Sequence, residues 1–279
     1  MQRLVSSFIK WILPLSIFWG LSFPLTKIVS YSVSPMIISL VRVSVATLFF
    51  YALGRGFSIG FKQFINAVLN FILFLIFLNL GVFLSPNPGL VAVMIYTQPI
   101  FVLVIEWIMG SKVKIKGAIG VVLGVIGVVS SATLSFNLGL ILGLLAGISW
   151  AGGTVYYSRY LAKEDLIKLN AFMALVSIPF LGLLTPLDYY FDFSIIVLGL
   201  LILLAILAQI LGFFFWFNGV RELGSIYASS GSLLVPVMAY LLSFIILGVV
   251  PTISQIVGSI ITLVGVYLTL TSKFNEKSS

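Results

Sequence analysis

The sequence predicts an all-α integral membrane protein, with ten transmembrane helices arranged as two inverted five-helix repeats. Three observations carry that expectation. The 279 residues are 61% hydrophobic and only 8% charged, where a soluble domain carries roughly 25% charged residues. The cations fall in alternate connections, and an ordered set of glycines returns after 138 positions. At about 20 apolar residues per bilayer crossing, a chain of this length holds roughly ten helices and leaves no room for a soluble domain.

Apolar runs bounded by charge, proline or polar turns place the helices in order. The first, 11–29, follows Arg3 and Lys10 and runs into Ser22-Phe23-Pro24-Leu25-Thr26-Lys27. No small-residue cleavage site ends it, so it reads as a retained helix rather than a signal peptide. The second, 35–54, starts at Pro35 and stops at Arg55; the third, 64–84, lies between Lys62 and the turn-rich Ser85-Pro86-Asn87-Pro88-Gly89. The fourth, 89–109, and the fifth, 116–134, flank Lys112, Lys114 and Lys116. The sixth, 138–158, runs from Asn137 to Arg159, and the seventh, 169–187, from Lys168 to the turn Asp188-Tyr189-Tyr190-Phe191-Asp192. The eighth, 194–217, precedes Arg221, the ninth is 225–248, and the tenth, 252–272, ends at Lys273. No linker interrupts them, so 1–279 is expected to be a single transmembrane domain.

With both termini cytoplasmic, the inner segments hold Arg3, Lys10, Arg55, Lys62, Lys112, Lys114, Lys116, Arg159, Lys163, Lys168, Arg221, Lys273 and Lys277, whereas the outer loops hold only Lys27. Thirteen against one is a strong positive-inside signal. A multi-pass protein of the plasma membrane is expected. The net charge of +8 is dispersed over short loops rather than gathered into a groove, which argues against a nucleic-acid partner.

Gly110, Gly120 and Gly127 reappear as Gly248, Gly258 and Gly265, each displaced by 138. Tyr96-Thr97-Gln98-Pro99-Ile100-Phe101-Val102 is similar to Leu233-Leu234-Val235-Pro236-Val237-Met238, and Trp19-Gly20 answers to Trp150-Ala151. The ordered set points to duplication, with repeats at 11–134 and 138–272. Five helices are an odd number, so the second copy enters the membrane from the opposite side, as in secondary transporters built on alternating access.

Trp19-Gly20, Pro35 followed by Arg42, mid-helix Pro99 and Pro236, and the Gly-rich fifth and tenth helices together resemble the ten-helix EamA-like branch of the drug/metabolite transporter superfamily. The resemblance covers nearly the whole chain. It implies export or exchange of small metabolites through a central cavity between the halves. Members usually place Glu after the Gly closing the fourth and ninth helices, but this sequence reads Gly110-Ser111 and Gly248-Val249. No role of that Glu carries over.

Several residues stand out as transport candidates. Trp11, Trp107 and Trp216 lie near predicted cytoplasmic ends and fit an interfacial belt. Trp19 and Trp150 fall near mid-bilayer, where each either meets water or solute in a cavity or fills space against Gly20, Gly152 or Gly153. Pro99 and Pro236 each remove a backbone donor and break their helices beside Tyr96, Thr97 and Gln98 on one side and Ser229, Ser230 and Ser232 on the other. Carbonyls near Ile95 and Ser232 are thereby candidates to line a cavity. Asn79 and Gln209 carry amides at membrane depth and face either solute or a neighbouring helix.

Arg42 and Glu106 are the ionisable groups inside spans, which makes both functional candidates. Arg42 either contacts an anionic solute group or satisfies carbonyls of a broken helix. Glu106 lies six residues before Lys112 and is the coupling candidate, although snorkelling to the headgroups also accounts for it. The substrate-binding set is therefore Trp19, Arg42, Asn79, Tyr96, Gln98, Trp150, Gln209 and Ser230.

Histidine and cysteine are absent, which removes disulfides and the usual zinc, haem and iron-sulfur ligands. No metal and no cofactor are expected. A membrane-embedded enzyme needs an acid/base pair, and one intramembrane carboxylate does not supply it. No phosphate-binding Gly-x-x-x-x-Gly-Lys-[Ser/Thr] sequence is present, which argues against direct ATP drive. The expected function is a secondary transporter, an exporter or exchanger, of a small organic metabolite, amino acid or amphipathic compound. A passive pore or lipid scramblase is the competing class. The expected partners are a small-molecule solute and the lipid bilayer, with the oligomeric state left open.

Overall fold

Long apolar runs leave the backbone no solvent for its polar groups, so each run closes its own hydrogen bonds as a helix. The computed structural model describes residues 2–85, 88–130, 137–248 and 250–274. Nine helices among these residues are long and apolar enough to cross a membrane: α1 (Val5–Val29), α2 (Pro35–Gly54), α3 (Phe61–Leu84), α4 (Val91–Ile108), α6 (Leu138–Leu161), α7 (Leu166–Leu187), α8 (Ile195–Leu223), α9 (Ser225–Ile246) and α10 (Ile253–Ser272). A shorter apolar helix, α5 (Ile115–Ser130), stands between α4 and α6. The end of the expected 116–134 span, the Pro86-Asn87 turn and Lys277 lie outside the described residues.

Most helix boundaries follow the expected ones, with one difference that matters. α8 runs on to Leu223, a turn and a half beyond the expected end at 217, and stops at Gly224, whose φ of 89° no other residue type adopts readily. The extra length moves everything on α8 deeper than charge spacing alone suggested. α3 and α8 also share a distortion: wide π turns at Val68–Ile72 and Ala205–Leu211. Such turns leave main-chain groups without their usual partners and recur at functional positions. Nothing in the hydrophobic pattern announces them.

The packing repeats between the halves. α5 lies on α10, α2 on α7 and α4 on α9; α1 contacts α8 and α9, while α6 contacts α3 and α4. At the α5–α10 crossing the backbones touch. A Cβ on Gly127 would stand 2.5 Å from the Gly258 carbonyl oxygen, and one on Gly120 would stand 2.6 Å from that of Gly265. The lower-numbered glycine of α5 meets the higher-numbered glycine of α10, so the two helices are antiparallel. Displacing the pair Gly120–Gly265 by the 138-residue repeat gives Gly258–Gly127. The contact maps onto itself.

The connections repeat the pattern at both ends. On one end the α1–α2 connection pairs with the α7–α8 connection through Ser34 N–H to the Tyr190 carbonyl at 3.0 Å, Asp192 N–H to Ser32 at 2.7 Å, and an antiparallel bridge between Val33 and Phe191. At the other, Ser58 after α2 donates its N–H to the Lys168 carbonyl at 3.1 Å and its hydroxyl to Glu164 at 2.7 Å.

Candidate functional site

Large rings fill the middle of the molecule because α1, α6 and α8 each turn a tryptophan inward. Trp19, Trp150 and Trp216 form a triangle, with ring centroids 5.5 Å apart for Trp19–Trp150, 4.9 Å for Trp150–Trp216 and 5.8 Å for Trp19–Trp216. Tyr96 closes on Trp150 edge-on at 6.0 Å, and Phe213 on Trp19 at 5.5 Å. Trp216 therefore departs from the interfacial belt expected for it: it is fully buried, whereas Trp107 is 68% exposed. The longer α8 is the reason, since it sets residue 216 well inside the helix.

The two matching tryptophans are not equivalent in chemistry. Trp19 donates its indole N–H to the Ala208 carbonyl at 2.9 Å, a group offered by the π turn of α8, and its ring lies against Gly212. A Cβ at Gly212 would fall 2.0 Å from the Trp19 Nε1, so glycine is required there for the ring to seat. Trp150 and Trp216 have indole N–H groups that are buried and without a partner.

Polar side chains gather beside these rings. Arg42 on α2 donates to the Gln209 Oε1 at 3.3 Å, one residue after the carbonyl that holds Trp19. One turn earlier on α2, Ser39 donates to the Asn79 Oδ1 at 3.2 Å. Of the two roles open to Arg42, satisfying carbonyls is not what it does here: its described hydrogen bond goes to a side chain. Gln98 sits at the α4 break and donates to Thr154 on α6 at 3.3 Å and Ser229 on α9 at 3.2 Å. Ser230 is buried with an unpartnered hydroxyl.

The breaks at Pro99 and Pro236 are present, at Tyr96-Thr97 in α4 and around Leu233 in α9. The Ile95 carbonyl is packed onto α6, where a Cβ on Gly147 would stand 3.0 Å from it. Sequence reasoning missed Asn66 and Asn70 of α3: Asn70 in the π turn donates to Asn66 at 2.9 Å, and Asn66 in turn donates to the Met173 sulfur at 2.9 Å. A second pair of amides at membrane depth was legible as composition, but not its π-turn setting.

Glu106 stands apart from this cluster, at the end of α4. Arg159 Nη2 lies 2.6 Å from its carboxylate, Ser111 donates to it at 2.5 Å, and Ser225 donates to the other oxygen. Arg159 also donates to Ser111 at 2.8 Å. Only 6% of Glu106 is exposed, so it does not snorkel. The described ion pair is with an arginine from α6, and Gly110, at φ 81°, follows the end of α4. Ser111 thus meets a carboxylate from five residues earlier in the chain.

The other two described glutamates behave alike. Glu222 on α8 accepts from Ser7 on α1 at 2.7 Å and pairs with Lys10 at 3.7 Å, and Glu164 accepts from Ser58. Each of the three joins a residue of the first five helices to one of the second five.

The sequence profile of the EamA-like transporter family matches residues 6–133 and, separately, residues 137–271. The chain belongs to the EamA-like transporter family. Among its relatives is an uncharacterized transporter of Archaeoglobus fulgidus, 29% identical over 93% of this chain and 98% of that protein. Another is a probable amino-acid metabolite efflux pump of Salmonella typhimurium, 26% identical over 90% of each chain. A crystal structure superposes with a TM-score of 0.81 over 98% of this chain and 99% of that one at 16% identity, a likeness of fold.

Proposed function

We propose that this EamA-family chain is a secondary transporter that exports or exchanges small organic metabolites, amino acids among them, by alternating access between two inverted five-helix halves, 11–134 and 138–272. The observation that carries the reading is the α5–α10 crossing. Two helices that occupy the same place in a repeat and run antiparallel are related by an axis perpendicular to both, which for membrane-spanning helices lies in the plane of the bilayer. The interchange of Gly120–Gly265 with Gly127–Gly258 under the repeat supports that relation. The name of the Salmonella relative supports the solute class.

In this reading the solute sits in the aromatic and amide cluster formed by Trp19, Trp150, Tyr96, Asn79, Gln98, Gln209 and Ser230, at the meeting of α1, α3, α4, α6, α8 and α9. The termini are cytoplasmic, in the plasma membrane, because thirteen cations flank that side. Closure of the cytoplasmic end is held by Glu106 with Arg159 and Ser225. Their positions in the other half, at displacements of 138 for Glu106 and 131 for Arg159, are Phe244 and Ile28, so no ion pair answers it at the opposite end. A solute that binds the two states with different affinity shifts their balance, and only such a difference moves the gate.

The absence of native cysteine allows a direct test. Cysteines replacing Ser111 and Ser225, which both touch the Glu106 carboxylate, can be bridged by a short thiol cross-linker in proteoliposomes. Bridging should abolish transport and leave solute binding intact, with transport restored once a reducible bridge is cleaved. Undiminished transport through quantitatively bridged protein would contradict gating at this end.

A further inference from the structure

One face of α2 collects hydrogen-bond donors that have no acceptor among the described residues. Asn79 accepts from Ser39 and is left with an unpartnered Nδ2; Gln209 accepts from Arg42 and is left with an unpartnered Nε2; the Arg42 Nε is likewise unpartnered. A guanidinium only donates, so the Gln209 oxygen must face it and the amide nitrogen must point elsewhere. Asn79 and Gln209 are 1% and 0% exposed, so water at the surface does not complete them. All three orphan atoms are donors.

The countercharge is missing as well. Among the described residues Arg42 meets no carboxylate, and the two carboxylates within spans are engaged elsewhere, Glu106 by Arg159, Ser111 and Ser225 and Glu222 by Ser7 and Lys10. An unpaired guanidinium at membrane depth is unfavourable by several kcal/mol or more. It persists where something outside the chain completes it.

We infer that this face of α2 is a carboxylate site: it holds a single carboxylate of the transported solute through Arg42 with the amide N–H groups of Asn79 and Gln209, the rest of the solute lying against Trp19 and Trp150. The inference rests on the transport reading above. One cation flanked by neutral amide donors matches one negative charge, whereas a phosphate dianion calls for further cations. No uncommitted carboxylate stands within the spans, so a second, cationic group on the solute finds no countercharge among the described side chains. The Trp19 ring is next to the site because the carbonyl that holds it, Ala208, precedes Gln209. The orientation is fixed by asymmetry: the repeat that sets Trp19 against Trp150 sets Arg42 against Met173. The cation that would hold the carboxylate comes from the first half alone.

The test uses purified full-length protein in detergent and three probes: N-acetylphenylalanine, its uncharged amide, and zwitterionic phenylalanine. Ligand binding to the folded state raises the unfolding midpoint. The acid should raise it, the zwitterion should do so more weakly, and the amide should leave it unchanged. Arg42→Gln should weaken binding of the acid by about thirtyfold or more, the scale for removing one partner of a buried charge pair, and Arg42→Lys should recover part of it. Should Arg42→Gln fail to fold, Arg42→Lys and Gln209→Leu carry the same comparison. Equal responses to acid and amide, no response to either, or wild-type affinity in the Arg42 variants would overturn the carboxylate site. Saturable, exchange-stimulated transport of uncharged solutes alongside any of those results would leave the transporter reading standing, so the two failures are distinguishable.

Discussion

Trp19 and Trp150 hold matched places in the two halves, yet only the indole of Trp19 is engaged by the protein, through Ala208. That difference separates structural from solute-facing roles at single residues. Trp19→Phe leaves the Ala208 carbonyl without its donor and should destabilise the protein by about 1–3 kcal/mol, the scale for a buried polar group left unmatched. Trp150→Phe removes an orphan donor, which is close to neutral for stability, while weakening solute binding. Thermal unfolding and solute titration of the two variants check this; equal stability losses with unchanged affinity would assign both rings to packing. The sequence shows both tryptophans because charges bracket their helices at a distance. Trp216 was not legible in the same way, since its depth depends on how far α8 continues past Phe217, and the pairing of Arg42 with Gln209 depends on which helices meet in three dimensions.

Among the elements, the ends of α4 and α2 carry the next expectations. Glu106 was legible as a lone intramembrane carboxylate, but its partner was not, because Arg159 lies 53 residues on, across the molecule. With Arg159, Ser111 and Ser225 all contacting it, we propose that Glu106 is a fastening rather than a proton carrier. Glu106→Gln keeps an oxygen for Arg159 and should retain the wild-type response of solute uptake to an imposed pH gradient. Loss of that response with exchange preserved would make Glu106 the coupling site. At the opposite end, the Asp188 carboxylate accepts the Met36 N–H at 3.0 Å and so caps α2 from the α7–α8 connection. Burial pushes its pKa up from the ordinary 3.8, against the pull of the Met36 N–H. A raised carboxylate favours the folded state most when protonated, so this contribution is present below the ordinary value and is lost as pH rises through the folded one. Asp188→Asn should therefore match the wild type in acid and gain in unfolding midpoint relative to it as pH rises above about 4. A constant difference at all pH values would contradict the assignment. The π turns of α3 and α8 stayed hidden for a related reason: one extra residue in a turn leaves the apolar pattern intact.

Across the whole molecule, the order and approximate ends of nine long apolar helices and a shorter tenth were legible, because a bilayer tolerates few polar groups within a span. Gly120, Gly127, Gly258 and Gly265 were legible as an ordered set, and in the structure they stand at the close crossing of α5 and α10. What the sequence leaves unstated is which faces meet, and the solute-facing cluster depends on that. The central claim is that these halves form a carrier whose site faces one side at a time. Counterflow in proteoliposomes tests it most directly: uptake of a trace of labelled amino acids is compared between vesicles preloaded with the same unlabelled solutes and empty ones. A carrier exchanges solute across its reorientation step, so preloading should accelerate uptake, and uptake should saturate with external concentration. Uptake that rises linearly with concentration and ignores the vesicle contents would contradict the account and identify a passive pore.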